Sequence, residues 1–239
     1  MKVIEYNGKI LLSPKYDLVF KHLFGKPDET LRAFLNDVLK LNIKRVEDIC
    51  IENSEVVVDY MNQKHPRMDL MIKLEDRYIN VEIQCSDKGN FEARSIFYRS
   101  KMVTSSLDKG QDYHQLKKCI SLWILDYKLP QCDYVYDYSE DRLHYSKSVL
   151  SDYVETHIIQ LPLFDWECEL RGRNKWIGFL CMRDKIDVDR LKERDETMQE
   201  MMEKLNSVSA ERKLQLQLQA EEDAVREYVS QTNAIERKA

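Results

Sequence analysis

Apolar and polar residues alternate along two neighbouring stretches of the chain, and this alternation predicts a β-hairpin. Every second residue is apolar over 68–74 and again over 79–85, as in strands that bury one face. A two-residue turn at 75–76 matches the two apolar faces in register. The same register sets Asp69 directly opposite Glu82 on the other face of the hairpin.

The two opposed carboxylates need a positively charged partner. Side chains directly opposite each other in a sheet have Cβ atoms about 4.5–5.5 Å apart, and two like charges so placed destabilise the sheet. A hard divalent cation such as Mg²⁺, which binds carboxylate oxygens at about 2.0–2.1 Å, would fit between them. Gln84 lies on the same face and could orient a metal-bound water or a phosphate oxygen. In the alternative interpretation this face is solvated, and Arg67 and Lys73 balance the acids.

Apolar residues at helical spacing predict three helices around the hairpin. Ser13 and Pro14 indicate the start of the first helix, as its N-cap and first residue, and Gly25 indicates its end. The second helix has a core-facing stripe made of Leu31, Phe34, Leu35, Val38 and Leu39. The third helix, predicted for 91–108, has an apolar side made of Phe91, Ile96, Phe97, Met102, Val103 and Leu107.

Short apolar runs predict further strands, and the whole pattern indicates an α/β fold. The continuous apolar run at 119–125 is typical of a central strand that is buried on both faces. Strands are also expected at 52–61, before the hairpin, and at 156–161. The stretch 130–155 shows no clear periodicity and is interpreted as a connecting region or a partner surface.

The composition changes near residue 186, after which Glu, Lys, Arg, Gln and Met are frequent and proline and glycine are absent. We therefore predict a main domain over 1–185 and a helical C-terminal extension over 186–239. The last part of this extension has only scattered apolar residues, so it needs a partner, either the main domain or a second copy of the chain. A homodimer formed through the C-terminal helices is accordingly expected.

Length and composition fit a globular protein with a sizeable core. The chain has 239 residues, 43% of them hydrophobic, with no run of about 18 apolar residues and no apolar signal core at the N-terminus. Neither a membrane span nor secretion is indicated, and we expect a cytoplasmic protein. The six cysteines include no CxxC pair, and some lie in apolar strand contexts, such as Cys85 and Cys119. Free buried thiols are therefore expected rather than disulfides or a zinc site.

The net charge of −5 argues against a protein that coats nucleic acid non-specifically, because such binding depends on phosphate neutralisation by Lys and Arg. Any nucleic-acid contact must be local. A candidate basic surface near the hairpin acids consists of Lys64, Arg67, Lys88, Arg94, Tyr98, Arg99, Lys101 and Tyr113. Its alternative is an ordinary solvated helix face. Similarly, Asp17 and Lys21 lie four residues apart on the first helix, where they either point toward the hairpin acids or form a surface ion pair.

Four sequence motifs in this order give the chain a family resemblance. They are SPKYDLVFKHLFG at 13–25, RMDL at 67–70, VEIQ at 81–84, and RSIFYRSKM followed by LDKGQDYHQL within 94–116. With them, residues 13–125 resemble the PD-(D/E)XK nuclease superfamily, and specifically its recombination-promoting nuclease branch, whose members are also labelled transposases. The resemblance implies a restriction-endonuclease-like core, in which a mixed sheet is flanked by helices, over the main domain.

The resemblance also implies a role for each candidate residue. Asp69 and Glu82 would be catalytic metal ligands, Gln84 would stand in the lysine position, and Asp17 would add an acid from the first helix. The residues expected to face the DNA phosphates are Lys21, Arg94, Tyr98 and Lys101. The chain departs from the motif in having Met68 at the proline position and glutamine for lysine. Glutamine can position a water but supplies no positive charge, although the branch commonly has it there.

The function implied by this resemblance is that of a DNA endonuclease, dependent on Mg²⁺ or Mn²⁺, that hydrolyses phosphodiester bonds. Its context would be recombination, mobile elements or defence against foreign DNA. The rival hypothesis is a nuclease-like module without efficient catalysis that binds nucleic acid or a protein partner. RNA cleavage is a third alternative, because the sequence shows neither a reader of the 2′-hydroxyl nor an element that fits a groove.

Overall fold

The computed structural model describes residues 3–52 and 69–220, which form a six-stranded mixed sheet, a separate N-terminal hairpin, and helices packed on both faces of the sheet. The strands are β1 (Val3–Tyr6), β2 (Lys9–Leu12), β3 (Cys50–Glu52), β4 (Leu70–Lys73), β5 (Arg77–Gln84), β6 (Lys118–Leu125), β7 (Tyr136–Arg142) and β8 (Val149–Gln160). The helices are α1 (Asp17–Phe24), α2 (Glu29–Leu39), α3 (Phe91–Ser105), α4 (Arg173–Cys181), α5 (Lys185–Lys192) and α6 (Glu196–Ala210).

The order of strands in the large sheet is β3-β4-β5-β6-β8-β7. Strand β6 runs parallel to both of its neighbours, β5 and β8, and the remaining pairs are antiparallel. Strand β6 is almost entirely buried, as expected for a continuous apolar run at the centre of a sheet. This arrangement confirms the predicted α/β class, with a restriction-endonuclease-like mixed sheet flanked by helices.

The hairpin of β4 and β5 has the register that its alternating pattern predicts. Leu70 pairs with Val81 and Lys73 pairs with Tyr78, and the turn between the strands is closed by a hydrogen bond from the Leu74 N–H to the Arg77 carbonyl. The apolar face of the hairpin lies in a large core that also contains side chains of α1, α2, α4, α5 and α6.

The other face of the hairpin is also covered, so the alternative of a solvated polar face is wrong. Helix α3 packs on this side, and a second, smaller core contains Phe91, Tyr98 and Trp123. Glu82 is fully buried beneath it, and Asn80 is nearly so. Burial of an acid changes its chemistry, because a carboxylate removed from water is harder to ionise.

The predicted helices are all present, with two corrections. Helix α1 begins at Asp17, and its N-cap is Tyr16, not Ser13, because Pro14 and Lys15 lie in a turn before the helix. Gly25 ends it as predicted, and all five residues of the predicted α2 stripe are buried. On α3 the buried stripe consists of Phe91, Tyr98 and Met102. Ile96 and Phe97, which were predicted on the apolar side, are instead about half exposed, at 54% and 47%.

Two structural features have no counterpart in the predicted elements. The N-terminal hairpin of β1 and β2 turns at Asn7 and Gly8, both with positive φ, and this dipeptide is typical of a two-residue hairpin turn. The aperiodic stretch 130–155 contains β7 and the first part of β8, which is longer than the strand predicted at 156–161. Many of its large apolar side chains are exposed, including Tyr138, Tyr145 and Leu150.

The described part of the segment after residue 185, up to residue 220, is mostly helical, as predicted, and packs against the large core. Residues 212–220 are also helical, with Leu214 and Leu218 buried and Leu216 exposed, so the alternating leucines do spread over more than one helix face. The boundary between 185 and 186 as a division between domains stays a prediction. Across the described ranges no helix is both long and apolar enough to cross a membrane.

Some predictions concern residues outside the ranges that the structure describes. The strand expected at 52–61 beyond Glu52, the residues Lys64, Arg67 and Met68, and the end of the C-terminal extension at 221–239 lie outside the described residues. All six cysteines lie inside them and are free. The prediction that these thiols are buried is right for Cys119 but wrong for Cys50 and Cys85, which are exposed, and the other three are partly exposed. Cys85 is exposed because it follows the last residue of β5.

Candidate active site

The hairpin brings Asp69 and Glu82 into direct contact at one end of the sheet. Asp69 comes immediately before β4, and Glu82 is the third residue from the end of β5. The Asp69 N–H donates to Glu82 Oε1 over 3.1 Å, and the Ile83 N–H donates to Asp69 Oδ2 over 3.0 Å. Each carboxylate is thus held by a backbone amide of the opposite segment, which confirms that the register brings the two acids together.

Glu82 is the most deeply buried member of the site, with no exposed side-chain surface. Besides the Asp69 amide, it accepts hydrogen bonds from Asn80 Nδ2 over 3.2 Å and from Arg94 Nη2 over 3.3 Å. Burial, and then the charge of Asp69, raise the pKa of Glu82 to about 8. The three donors oppose this rise without cancelling it. The Glu82 carboxyl group therefore keeps its proton to a higher pH than an exposed glutamate does.

Asp69 shares a lysine with an acid on α1. Lys21 Nζ lies 2.9 Å from Asp17 and 3.2 Å from Asp69 Oδ1, so the pair on α1 points toward the hairpin acids. Burial and the charge of Asp17 raise the pKa of Asp69, while Lys21 and the Ile83 amide lower it. Burial lowers the pKa of Lys21, but the hydrogen bonds and charges of Asp17 and Asp69 outweigh that effect and raise it. Asp17 is thus linked to the acid pair by the ion pairs that Lys21 forms with Asp17 and with Asp69.

Arg94 connects α3 to the acids from the opposite side. Its Nη1 donates to Gln84 Oε1 over 3.0 Å, and its Nη2 contacts Glu82 Oε2 and the Tyr98 hydroxyl, the latter over 3.1 Å. The guanidinium carbon lies 5.0 Å from the centre of the Tyr98 ring and 5.9 Å from that of Trp123. Arg94 is therefore directed inward at the candidate acids, where aromatic faces also favour a cation.

Of the four residues expected to face DNA, the structure brings three to the acids. Lys21 contacts Asp69, Arg94 contacts Glu82, and Tyr98 is joined to Arg94. Lys101 lies further along α3, and within the described ranges it forms no ion pair with these acids. The structure also adds one residue that the sequence pattern had placed on the polar face without a role, Asn80. Its position two residues before Glu82 was the available signal.

The donor atoms at this site fit a hard divalent cation. The carboxylates of Asp69 and Glu82 and the amide oxygen of Gln84 are oxygen donors of the kind that Mg²⁺ prefers. Burial is the largest cause of the raised pKa of both acids, and a divalent cation bound beside them would favour their ionised forms. In the part of the chain that the structure describes, no three acidic, histidine or cysteine side chains are grouped closely enough to hold a metal. Waters or substrate oxygens would have to complete the coordination, as is usual for Mg²⁺.

A comparison with models of known protein families gives a match that covers most of the chain. A family model described as PD-(D/E)XK nuclease family transposase matches residues 14–237, which include α1, the hairpin acids, α3 and the C-terminal helices. Searches of curated proteins and of solved structures returned no match.

Proposed function

Because the chain belongs to the family of PD-(D/E)XK nuclease family transposases, we propose that it is a metal-dependent DNA endonuclease that hydrolyses phosphodiester bonds. The observation that carries this proposal is the contact between Asp69, which is partly exposed, and the fully buried Glu82, two acids whose pKa values are both raised. Two ionised acids this close together, one of them fully buried, reduce stability unless cations offset their charge. Such a pair is well suited to a metal centre.

In this proposal Asp69 and Glu82 hold Mg²⁺ or Mn²⁺. A divalent cation bound there would lower the pKa of its water and offset negative charge on the phosphate. Asp17 accepts a hydrogen bond from Lys21 and so keeps the ammonium group beside Asp69. From that position Lys21 is available to donate to a phosphate oxygen of the DNA.

Gln84 and Arg94 together take the place that a lysine has in the family motif. The Gln84 amide can orient a water molecule but carries no charge. Arg94 donates to Gln84 Oε1 over 3.0 Å, so a guanidinium lies directly beside the side chain that replaces lysine. Arg94 thereby supplies the positive charge that glutamine lacks, and Tyr98 holds the guanidinium in place through its hydroxyl and its ring.

The rival function, a binding module without efficient catalysis, is also favoured by a specific observation. Lys21 and Arg94 already neutralise Asp69 and Glu82 in part, so the acids have cationic partners of their own. A protein that had lost its metal would keep such ion pairs as structural contacts. A role in recombination or mobile elements, a homodimer and cytoplasmic residence stay predictions.

The test is nicking of supercoiled plasmid DNA by the purified full chain, with Mg²⁺ or Mn²⁺ and with EDTA. The informative variants are Asp69→Asn and Glu82→Gln, which remove one charge each and keep the side-chain shape. The matched control is Glu75→Gln, which removes an exposed acid at the other end of the same hairpin. Cleavage that needs the metal, persists in the control and disappears in both site variants would establish the endonuclease. Retained DNA binding without cleavage by the wild type would establish the binding module.

A further inference from the structure

Asn80 is buried beside Glu82 on the face of β5 that α3 covers. Only 1% of the surface of Asn80 is exposed to solvent. Its Nδ2 donates a hydrogen bond to Glu82 Oε1 over 3.2 Å. The same oxygen accepts the Asp69 N–H. Arg94 donates to the other oxygen, Oε2, so Asn80 and the Asp69 amide act on one side of the carboxylate and Arg94 acts on the other.

The surroundings of Asn80 show that an asparagine here costs stability. Among the described residues, Asn80 Oδ1 has no hydrogen-bond partner although it is buried, and the same holds for Arg94 Nε and, on the adjacent strand β6, for Ser121 Oγ and Trp123 Nε1. In the parallel register Asn80 pairs with Ser121, and Glu82 pairs with Trp123. A buried polar atom without a partner lowers the stability of the folded state. An apolar residue at position 80 would avoid that cost, so the amide has to be explained by the bond that it does make.

That bond constrains the orientation of Glu82. The carboxylate of a glutamate has three side-chain torsions, and one hydrogen bond leaves it free to rotate. Donors on both oxygens, with two of them converging on Oε1, fix the plane of the carboxylate group. Hydrogen bonds from neighbouring residues orient metal ligands in the same way, and their loss typically costs 10–100-fold in metal affinity.

We propose that Asn80 is a positioning residue, which fixes the Glu82 carboxylate for the divalent cation through the hydrogen bond from Nδ2 to Oε1. The proposal rests on the proposed function, in that it takes Glu82 as a metal ligand. Asn80 itself touches neither the cation nor the DNA. Its effect is to set the affinity of the site for the metal.

The test is the affinity of the full chain for Mn²⁺ alone, measured by calorimetry in the absence of DNA. The variant is Asn80→Leu, which keeps the branching and the number of side-chain heavy atoms and removes the donor, with the smaller Asn80→Ala as a second variant. The matched control is Ser121→Ala, which alters the neighbouring buried polar residue but no bond to Glu82. We expect Mn²⁺ binding to weaken about 10-fold or more in both Asn80 variants and to be unchanged in the control. Thermal unfolding in EDTA identifies variants that remain folded.

A double-mutant cycle with Glu82→Gln separates positioning from a general structural role. If Asn80 acts through Glu82, Asn80→Leu causes no further loss of Mn²⁺ affinity once Glu82 is glutamine. Equal losses in both backgrounds, or wild-type affinity in folded Asn80→Leu, would overturn the inference. If Glu82→Gln alone binds Mn²⁺ like the wild type, Glu82 is not a metal ligand, and it is the proposed function that fails.

Discussion

The backbone N–H of Asp69 donates a hydrogen bond to Glu82 Oε1 over 3.1 Å, so one acid of the pair is bound directly by the main chain of the other. In return, the Ile83 amide, next to Glu82, donates to Asp69 Oδ2. The positions of the two carboxylates therefore depend on the register of the hairpin. The flanking cations, Lys21 and Arg94, offset part of the charge of the pair.

The first prediction concerns the pH dependence of stability without metal. The pKa of Glu82 is raised from 4.5 to about 8 in the folded protein, so the folded state holds a proton that the unfolded state has lost between these values. The stability contributed by this protonated form is complete below pH 4.5 and is lost as the pH rises through 8. We expect the free energy of unfolding in EDTA to fall by up to about 1.4 kcal/mol for each pH unit in this window.

The variant Glu82→Gln provides the comparison, since an amide does not titrate. Urea unfolding at pH 6 and pH 8 should show a smaller loss of stability in this variant than in the wild type. An identical pH dependence in the two proteins would mean that Glu82 is ionised throughout. The pKa of Asp69 is also raised, so the stability of the variant should still depend on pH to some extent.

The second prediction is stabilisation by metal. A cation that binds only the folded state stabilises it by mass action, by about 2.7 kcal/mol when its concentration is 100 times its dissociation constant. We expect Mg²⁺ or Mn²⁺ to raise the unfolding temperature of the wild type and of Glu75→Gln. The increase should disappear in Asp69→Asn, which loses one of the two carboxylates. An equal increase in all three proteins would place the bound cation elsewhere.

The hairpin and its acid pair were predictable because both depend on local rules. Alternation with period two identifies the strands, and a two-residue turn leaves one register that matches the apolar faces. The structure has that register, with Leu70 opposite Val81. The spacing of Asp17 and Lys21 predicted that they share a face of α1 but left open whether they point toward the hairpin acids, and the structure brings Lys21 to 3.2 Å from Asp69.

The covering of the acids by α3 was not predictable from local rules. Whether a polar strand face is solvated or packed depends on which helix lies over it, and the pattern of β5 is the same in either case. The raised pKa of Glu82 and the inward direction of Arg94 both follow from that packing. The N-terminal hairpin, by contrast, had a usable signal in Asn7 and Gly8.

The third prediction uses the opposite effects of two α1 residues on Asp69. Lys21 lowers the pKa of Asp69, and the charge of Asp17 raises it. Lys21→Met should therefore raise the Asp69 pKa further, and Asp17→Asn should lower it. Carboxyl ¹³C NMR titration of the metal-free protein measures both changes. Shifts in the same direction in the two variants would contradict the arrangement in which Lys21 lies between the two acids.

The fourth prediction distinguishes two phenylalanines on α3 that the sequence pattern placed on the same apolar side. Phe91 is buried and meets Trp123 edge to face, with ring centres 5.4 Å apart, whereas Phe97 is 47% exposed. A run of three large apolar residues at 96–98 covers more than half of the helix surface, so spacing alone does not select the buried one. In the structure the buried residue of the three is Tyr98, which lies on the same helix face as Phe91.

Truncation of these two side chains should therefore have very different effects. Phe91→Ala should lower the free energy of unfolding by about 3 kcal/mol, because it opens a cavity beside Trp123. Phe97→Ala should change it by no more than about 0.5 kcal/mol, since the ring is largely in solvent and alanine favours the helix. Urea unfolding followed by circular dichroism measures both values. Similar losses in the two variants would mean that α3 is rotated about its axis, and Arg94 would then no longer face Glu82.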